Sequence, residues 1–265
     1  MVRRYEDPRS RIPGFERPIG TPGCGRGGTM LNQRVRYGLV RRLVRHHRGG
    51  AICEVGAGRH GMSQYFPGIP FVGVDLDFKD YGGPAVALAP EMRGVKADAR
   101  FMPFRDRSFD LVFSLDMIEH VPADCRADVI TELARITRSD LVVAFPCGTV
   151  ARDADRRQAA ALAARGAPIP GWLAEHLEIR YPMPEEMDRH FGTLGSVFSV
   201  AHNESVLLRR LVAFSEWSGL PGRLFDRYLP MGLFAGVDLV GGGGTRRIYH
   251  VRMGRAHPSR NPRRC

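Results

Sequence analysis

A glycine-rich turn follows a short apolar segment in the first quarter of the chain. Residues 51–55 predict a buried strand that carries one acid, Glu54, and Gly56, Gly58 and Gly61 come after it. Glycine has no Cβ, so a turn of this kind lets a ligand approach the main chain closely. The spacing also fits a dinucleotide site, where glycines surround a pyrophosphate at a helix N-terminus. The turn alone therefore predicts a cofactor site, and it does not distinguish a dinucleotide from another cofactor.

Three further acids follow the later apolar segments. Asp75 ends the second segment, roughly 20 residues after the first glycine, where a carboxylate commonly accepts hydrogen bonds from both ribose hydroxyls. Asp98 follows the third segment and Asp116 the fourth. Ligands of an open parallel sheet bind beyond the carboxyl ends of its strands, so we expect these acids at the same edge as Glu54. An acidic edge opposes a pyrophosphate and favours a cofactor with cationic groups.

Apolar segments alternate with segments of helical periodicity along most of the chain. Strands without a polar face are typical of a parallel sheet that is covered by helices on both sides. The predicted strands are 51–55, 71–76, 94–97, 109–115, 141–145, 196–201 and 246–253. The predicted helices are 31–47, 62–66, 122–137, 153–165, 184–191 and 205–217, with a turn-rich break at 167–170. The pattern therefore predicts an α/β fold.

Four segments, in order, resemble the successive motifs of class I S-adenosylmethionine-dependent methyltransferases of the small-molecule type. They are Glu54-Val-Gly-Ala-Gly58, Val74-Asp75, Lys96-Ala-Asp-Ala99 and Ser108 to Pro122, which contains Glu119-His-Val121. The motifs cover about residues 50–146, and residues 246–253 resemble the family's antiparallel last strand. The resemblance implies a Rossmann-like, doubly wound, mostly parallel seven-stranded sheet with an antiparallel last strand. It also implies S-adenosyl-L-methionine as the cofactor.

The resemblance implies a role for each motif residue. The glycines would pack against the methionine and ribose parts of the cofactor, and Glu54 would shape the amino-group end. Asp75 would hold the ribose hydroxyls. Asp98 would accept from the adenine amine beside the Ala99 amide, and Leu115 and Asp116 would line the sulfonium side. The full set of expected cofactor-binding residues is Glu54, Gly56, Ala57, Gly58, Asp75, Leu76, Asp98, Ala99, Leu115 and Asp116.

Two histidines are candidates for the catalytic base that an oxygen acceptor usually needs. Histidine is suited to this role because its imidazole is partly neutral near pH 7. His120 follows the fourth strand beside the expected cofactor, although it could instead cap the next helix. His176 lies in a stretch that resembles the lid of methyltransferases acting on glycans or lipid-linked saccharides, although it could be an ordinary surface residue. Methyl transfer itself requires mainly an aligned site and no metal.

The cysteines and the apolar content exclude several classes of protein. The five cysteines form no Cys-x-x-Cys pair, which argues against a disulfide framework and a zinc site, so we expect no metal. The 43% hydrophobic and 25% charged content is ordinary for a globular protein. No apolar run reaches the roughly 18 residues of a transmembrane helix, and the first thirty residues have no signal-peptide core. We therefore expect a cytoplasmic protein without a transmembrane segment.

The formal net charge of +11 is concentrated at the two ends of the chain. Residues 1–29 predict a flexible basic arm and 255–265 a basic tail, on either side of a methyltransferase domain at 30–254 with a helical insertion near 203–244. Basic tails can bind phosphates or an acidic membrane surface, so nucleic acid and peripheral membrane contact stay open as partners. Of the 39 basic residues only two are lysine and 37 are arginine, a skew that also fits a general compositional bias.

The sequence thus predicts methyl transfer from S-adenosyl-L-methionine to a small-molecule, saccharide or lipid-linked acceptor. An NAD-dependent oxidoreductase that uses the same glycine-rich loop, and an RNA-directed methyltransferase or binding protein, are the alternatives. Leu115-Asp-Met-Ile118 stands where enzymes that methylate base amino groups carry an Asn-Pro-Pro-Tyr type of motif, which disfavours nucleic acid as the acceptor.

Overall fold

The computed structural model describes residues 36–78, 87–169, 171–194, 197–203 and 244–254. Residues 36–38 are helical, and the α-helices that lie wholly within these ranges are α1 (Arg41–His46), α2 (Arg126–Ile136), α3 (Gly148–Ala163), α4 (Gly171–Glu178) and α5 (Pro184–Gly192). The strands are β1 (Ile52–Val55), β2 (Phe71–Asp75), β3 (Met92–Lys96), β4 (Phe109–Leu115), β5 (Thr137–Pro146), β6 (Val197–Asn203) and β7 (Arg246–Arg252). Three short 3-10 helices lie at Gly61–Gln64, Ile118–His120 and Ala123–Cys125.

All seven strands form one sheet in the order β3-β2-β1-β4-β5-β7-β6. The first five strands pair in parallel, whereas β7 runs antiparallel to both β5 and β6. The strand order reverses between β1 and β4, so a crevice opens at their carboxyl ends, where ligands of such sheets bind. The expected Rossmann-like, mostly parallel seven-stranded sheet with an antiparallel last strand is confirmed.

The two faces of the sheet carry two separate apolar cores. Alternate residues of a strand point to opposite faces, and in β4 Leu111 and Phe113 pack on one side while Val112 packs on the other. The first side is covered by residues around Tyr37 and Val44, and the second by α2 and α5. Coverage on both sides explains why the strands read as apolar runs.

Strand β5 and helix α4 are among the elements that differ from the sequence-based expectation. Strand β5 begins at Thr137 rather than 141, because the polar residues of its first half still pair with β4 and β7. Helix α4 follows the segment that was expected to be a turn-rich break. It is short and buries only Leu173 and His176, so it has no apolar stripe that periodicity could reveal.

Several expectations lie outside the described residues. These are the start of the first predicted helix, the predicted helix at 205–217, the insertion near 203–244, the N-terminal arm and the C-terminal tail. Within the described ranges, no helix combines the length and the apolar character needed to cross a membrane.

Candidate active site

The glycine-rich loop after β1 is held by β2 and by the loop after β4. The amides of Gly56 and Ala57 donate to the Val74 carbonyl at 2.8 and 3.2 Å. Gly56 has a φ of 78°, and a Cβ at this position would lie 2.8 Å from the Cβ of Met117. Gly58 also has a positive φ, 54°, but a Cβ there would meet no atom within 4 Å. The loop is therefore packed on one side and open on the other.

Asp75, at the end of β2, lies beside the open side of this loop. Its Oδ2 accepts a hydrogen bond from the Gly58 amide at 2.8 Å. Among the contacts of the described residues, Oδ1 is not engaged, so this oxygen can accept from a ligand. The next side chain, Leu76, is 72% exposed. The pair offers a carboxylate for hydroxyl groups and an apolar surface for a flat ring.

Glu54 lies beneath the loop and is fully buried. The Tyr37 hydroxyl donates to its Oε1 at 2.7 Å, and its Oε2 lies 2.7 Å from the position that a Cβ on Gly61 would occupy. Burial raises the pKa of Glu54 from its ordinary value of 4.5 to about 7, against the opposing hydrogen bond from Tyr37. Glu54 thus supports the loop from below and changes its charge near neutral pH.

The two other expected acids are paired with arginines. Arg100 binds both carboxylate oxygens of Asp98, at distances down to 2.7 Å, and this holds the pKa of Asp98 below its usual range. Asp116 accepts two hydrogen bonds from Arg246 at 2.8 and 2.7 Å, and the Arg36 guanidinium lies 3.4 Å away. The edge of the sheet is therefore less negative than its carboxylates alone indicate.

The remaining expected cofactor residues lie at the same edge. Ala57 is buried within the glycine loop, and Ala99 is half-buried next to Asp98. The side chain of Leu115 is buried in the core, and its carbonyl accepts a hydrogen bond from Arg36. Leu115 can therefore line the site through its main chain only.

The structure brings the two candidate catalytic histidines together. His120 lies in the turn after β4 and His176 in α4, and their Nε2 atoms are 3.3 Å apart. The other nitrogen of each ring meets a carboxylate: His120 Nδ1 lies 2.7 Å from Glu175, and His176 Nδ1 lies 2.9 Å from Asp155. Burial, together with the charge of His176, lowers the pKa of His120 despite the Glu175 hydrogen bond, so its imidazole is neutral near pH 7.

Glu119 and Tyr181 complete the surroundings of this pair. Glu119 Oε1 lies 3.9 Å from His176 Nε2, and burial together with the charge of Asp116 raises the pKa of Glu119 well above its usual range. The Tyr181 hydroxyl donates to Asp155 at 3.0 Å. All of these side chains lie at the carboxyl end of β4, beyond Asp116.

Sequence reasoning missed several residues of this network. Asp155 is one of them, and its signal is its position on α3, where it interrupts an apolar stripe formed by Ala151, Ala159 and Leu162. Arg126 is a second, fully buried at the start of α2, where it donates to the carbonyls of Val121 and Arg180 and connects the two loops of the site. No local pattern distinguishes Arg126 from the other arginines.

The comparison with protein families identifies the domain. Residues 53–145 match the family described as "Methyltransferase domain". Residues 53–145 therefore carry a methyltransferase domain. The matched segment runs from β1 to the end of β5, so it contains the glycine loop, Asp75, Asp98 and the turn with Glu119 and His120. The match supports the expected class I S-adenosylmethionine-dependent methyltransferase domain, whereas the Glu-His-Val subgroup motif is not confirmed.

The known proteins that are similar to this chain match it over different shares of its length. An uncharacterized methyltransferase of Mycobacterium sp. (strain KMS) is 33% identical over 93 residues, which are 34% of this chain and 35% of that protein. The chain thus spans about a third of the length of the curated relatives that it matches. Two structures of Haemonchus contortus phosphoethanolamine N-methyltransferase 2 have TM-scores of 0.52 and 0.50 at 13% and 15% identity, covering 84% of this chain and 52% of theirs. This likeness shows the fold alone.

The residues of the methyltransferase domain fit its cofactor, S-adenosyl-L-methionine. The open side of the glycine loop admits a ligand against the main chain at Gly58, where a side chain would otherwise project. Asp75 has a second oxygen that would accept from the ribose hydroxyls, and the exposed Leu76 would offer the adenine an apolar surface. The site therefore provides a separate surface for each part of the nucleoside.

The two loop glycines give a matched pair of variants. Gly56→Ala should destabilise the domain by at least about 2 kcal/mol, because the new Cβ meets both a positive φ and Met117. Gly58→Ala should cost only about 1 kcal/mol, yet it should weaken binding of S-adenosylhomocysteine by blocking the open side. Urea unfolding and calorimetry measure the two effects. Equal stability of both variants would contradict the close packing of Met117 against Gly56.

Asp75→Ala should weaken S-adenosylhomocysteine binding about 100-fold or more, because the ligand loses its charged acceptor and the loop loses the bond to Gly58. Calorimetry gives the dissociation constant, and Glu178→Ala, a change at an exposed acid in α4, is the control. Tight binding by the Asp75 variant would show that the ribose lies elsewhere.

Glu54→Gln should change how stability depends on pH. The folded-state pKa of about 7 exceeds the ordinary value of 4.5, so the native state holds this proton while the unfolded state has lost it. The free energy of unfolding should therefore fall by up to about 3 kcal/mol as the pH rises from 4.5 to 7, and the variant should lack this fall. Urea unfolding at pH 5 and pH 7.5 measures the difference. Identical slopes in both proteins would mean that Glu54 titrates normally.

Proposed function

We propose that the protein transfers a methyl group from S-adenosyl-L-methionine to an oxygen of a small-molecule, saccharide or lipid-linked acceptor. The observation that supports an oxygen acceptor is the pair of histidines, His120 and His176, at the carboxyl end of β4. A neutral imidazole next to the methyl group suits an acceptor that must lose a proton, since a hydroxyl is a poor nucleophile until it does.

The chain's own residues have distinct tasks in this proposal. The cofactor supplies an activated methyl group on a sulfonium. Gly56, Gly58 and Asp75 hold the nucleoside so that the methyl carbon faces the turn after β4. Holding the acceptor oxygen about 3 Å from that carbon in an aligned site provides most of the acceleration. His120 and His176 act on the acceptor oxygen at that point.

The methyltransferase domain favours a sulfonium cofactor over a nicotinamide. Glu54 lies directly below the glycine loop, where its partial negative charge disfavours the pyrophosphate of a dinucleotide. Phosphoethanolamine is named for one protein of similar fold, but at 13–15% identity this supports no acceptor for the present chain.

Radioactive methyl transfer to fractionated cell extract tests the acceptor class. Purified protein with methyl-labelled S-adenosylmethionine should label the small-molecule, saccharide or lipid pool, and the Asp75→Ala variant should label nothing. His120→Ala should lower turnover at least about 100-fold while S-adenosylhomocysteine affinity changes less than about threefold. Label in RNA would assign the acceptor to nucleic acid, and unchanged turnover would remove His120 from the reaction.

A further inference from the structure

We propose that Glu119, His120 and His176 bind one divalent transition-metal ion, with zinc or ferrous iron best suited to the ligands. The first two residues lie in the turn after β4, and the third lies in α4. Their ligand atoms lie within 4.8 Å of one another. Two imidazoles and one carboxylate are a ligand set that both metals accept.

The hydrogen bonds of the two histidines direct their free nitrogens toward one point. Each Nδ1 lies within 3 Å of a carboxylate, from Glu175 in one case and Asp155 in the other. A carboxylate accepts a proton there, so Nδ1 carries the hydrogen and Nε2 keeps its lone pair. The two Nε2 atoms then face each other at 3.3 Å. Two lone pairs at this distance repel, and a cation between them removes the repulsion.

The separation of the two nitrogens matches a shared ion. If each Nε2 lies about 2.05 Å from one metal, a separation of 3.3 Å gives an N–metal–N angle of about 107°. This is close to the tetrahedral angle. Glu119 Oε1 lies 3.9 Å from His176 Nε2, so its carboxylate must move by about 0.5–1 Å to complete a tetrahedral arrangement.

Glu119 supplies an independent reason for a cation at this point. Its side chain is 1% exposed, and among the described residues its Oε2 has no hydrogen-bond partner. Such a buried carboxyl group is costly in its ionised form, and binding a metal offsets that cost. The acids behind the histidines form the carboxylate–histidine–metal arrangement that orients metal ligands and raises their basicity. Tyr181 in turn holds Asp155 in place.

In a second histidine–carboxylate cluster, each histidine Nε2 already has a hydrogen-bond partner within the protein. His47 Nε2 lies 2.8 Å from one carboxylate oxygen of Asp140, and His250 Nε2 lies 2.7 Å from the other. Both Nε2 atoms are occupied by the carboxylate, so no pair of lone pairs converges there. This cluster therefore serves as the control for the proposed site.

Three protein ligands leave a fourth position, which an acceptor hydroxyl can occupy; this role rests on the proposed function, with the two histidines holding the cation instead of accepting the hydroxyl proton themselves. A cation beside the hydroxyl lowers its pKa. The proton leaves to solvent, the oxygen forms a bond to the methyl carbon, and the electron pair of the broken carbon–sulfur bond stays on sulfur. The products are the methylated acceptor and S-adenosylhomocysteine, so atoms and charge balance. The substrate class would then be hydroxyl compounds that coordinate a metal.

Titration of the chelator-treated protein with Co²⁺ alone tests the site without an acceptor. One ion per chain should bind, with the visible absorption band of four- or five-coordinate Co²⁺. His120→Ala, His176→Ala and Glu119→Gln should each weaken binding at least 100-fold, and Asp155→Asn should weaken it 10- to 100-fold. His250→Ala should bind as the unaltered protein does.

Circular dichroism and S-adenosylhomocysteine affinity of each variant distinguish loss of the metal from loss of the fold. A folded Glu119→Gln protein that binds S-adenosylhomocysteine but not Co²⁺ would establish the site. An unaltered protein that binds Co²⁺ but not S-adenosylhomocysteine would leave the metal site standing and overturn the proposed function. Sub-stoichiometric Co²⁺ binding by the unaltered protein, or His120→Ala and His176→Ala variants that bind Co²⁺ as tightly as the unaltered protein does, would overturn the metal site.

Discussion

The bidentate ion pair between Asp116 and Arg246 fixes the geometry on which the site depends. Asp116 follows β4 with a positive φ of 54°, and Arg246 begins β7, on the far side of β5. The pair thus bridges two strands that do not touch. Both side chains are largely buried, at 16% and 4% exposure, so the pair is shielded from water. The turn that follows Asp116, with Glu119 and His120, is held in place by this constraint.

The reversal of strand order between β1 and β4 divides the carboxyl-end edge of the sheet into two halves. Loops after β1 and β2 carry the groups that fit a nucleoside, and these loops contact each other through Gly58 and Asp75. The turn after β4 and the helices α3 and α4, which follow β5, carry the histidines and their carboxylates. Met117 packs against Gly56 at the boundary, so the turn after β4 contacts both halves. The groups that fit a nucleoside thus lie close together in sequence, whereas the histidine network joins residues that are far apart in sequence.

The sequence predicts the parallel half of this fold because its strands are buried on both faces. It does not predict the start of β5, whose polar residues belong to ion pairs such as that of Asp140, or α4, which buries only Leu173 and His176. On the donor side, glycines and acids at strand ends are local patterns, so Gly56 and Asp75 can be identified. On the acceptor side, the partner of His176 is Asp155 from another helix, and no spacing within one segment connects them.

The sequence predicts an acidic edge because it shows the carboxylates but not the arginines that pair with them in the fold. In the structure Asp98 is paired with Arg100 and Asp116 with Arg246, and the pKa of Glu54 is about 7, so Asp75 provides most of the unpaired charge on the donor side. Cofactor binding must then depend more on hydrogen bonds and apolar contact than on attraction between charges. The carboxylate with the least compensation among those at the described edge is Glu119. Its neighbours are two imidazoles whose free nitrogens converge, which is a reason to look for a cation there and not beside the glycine loop.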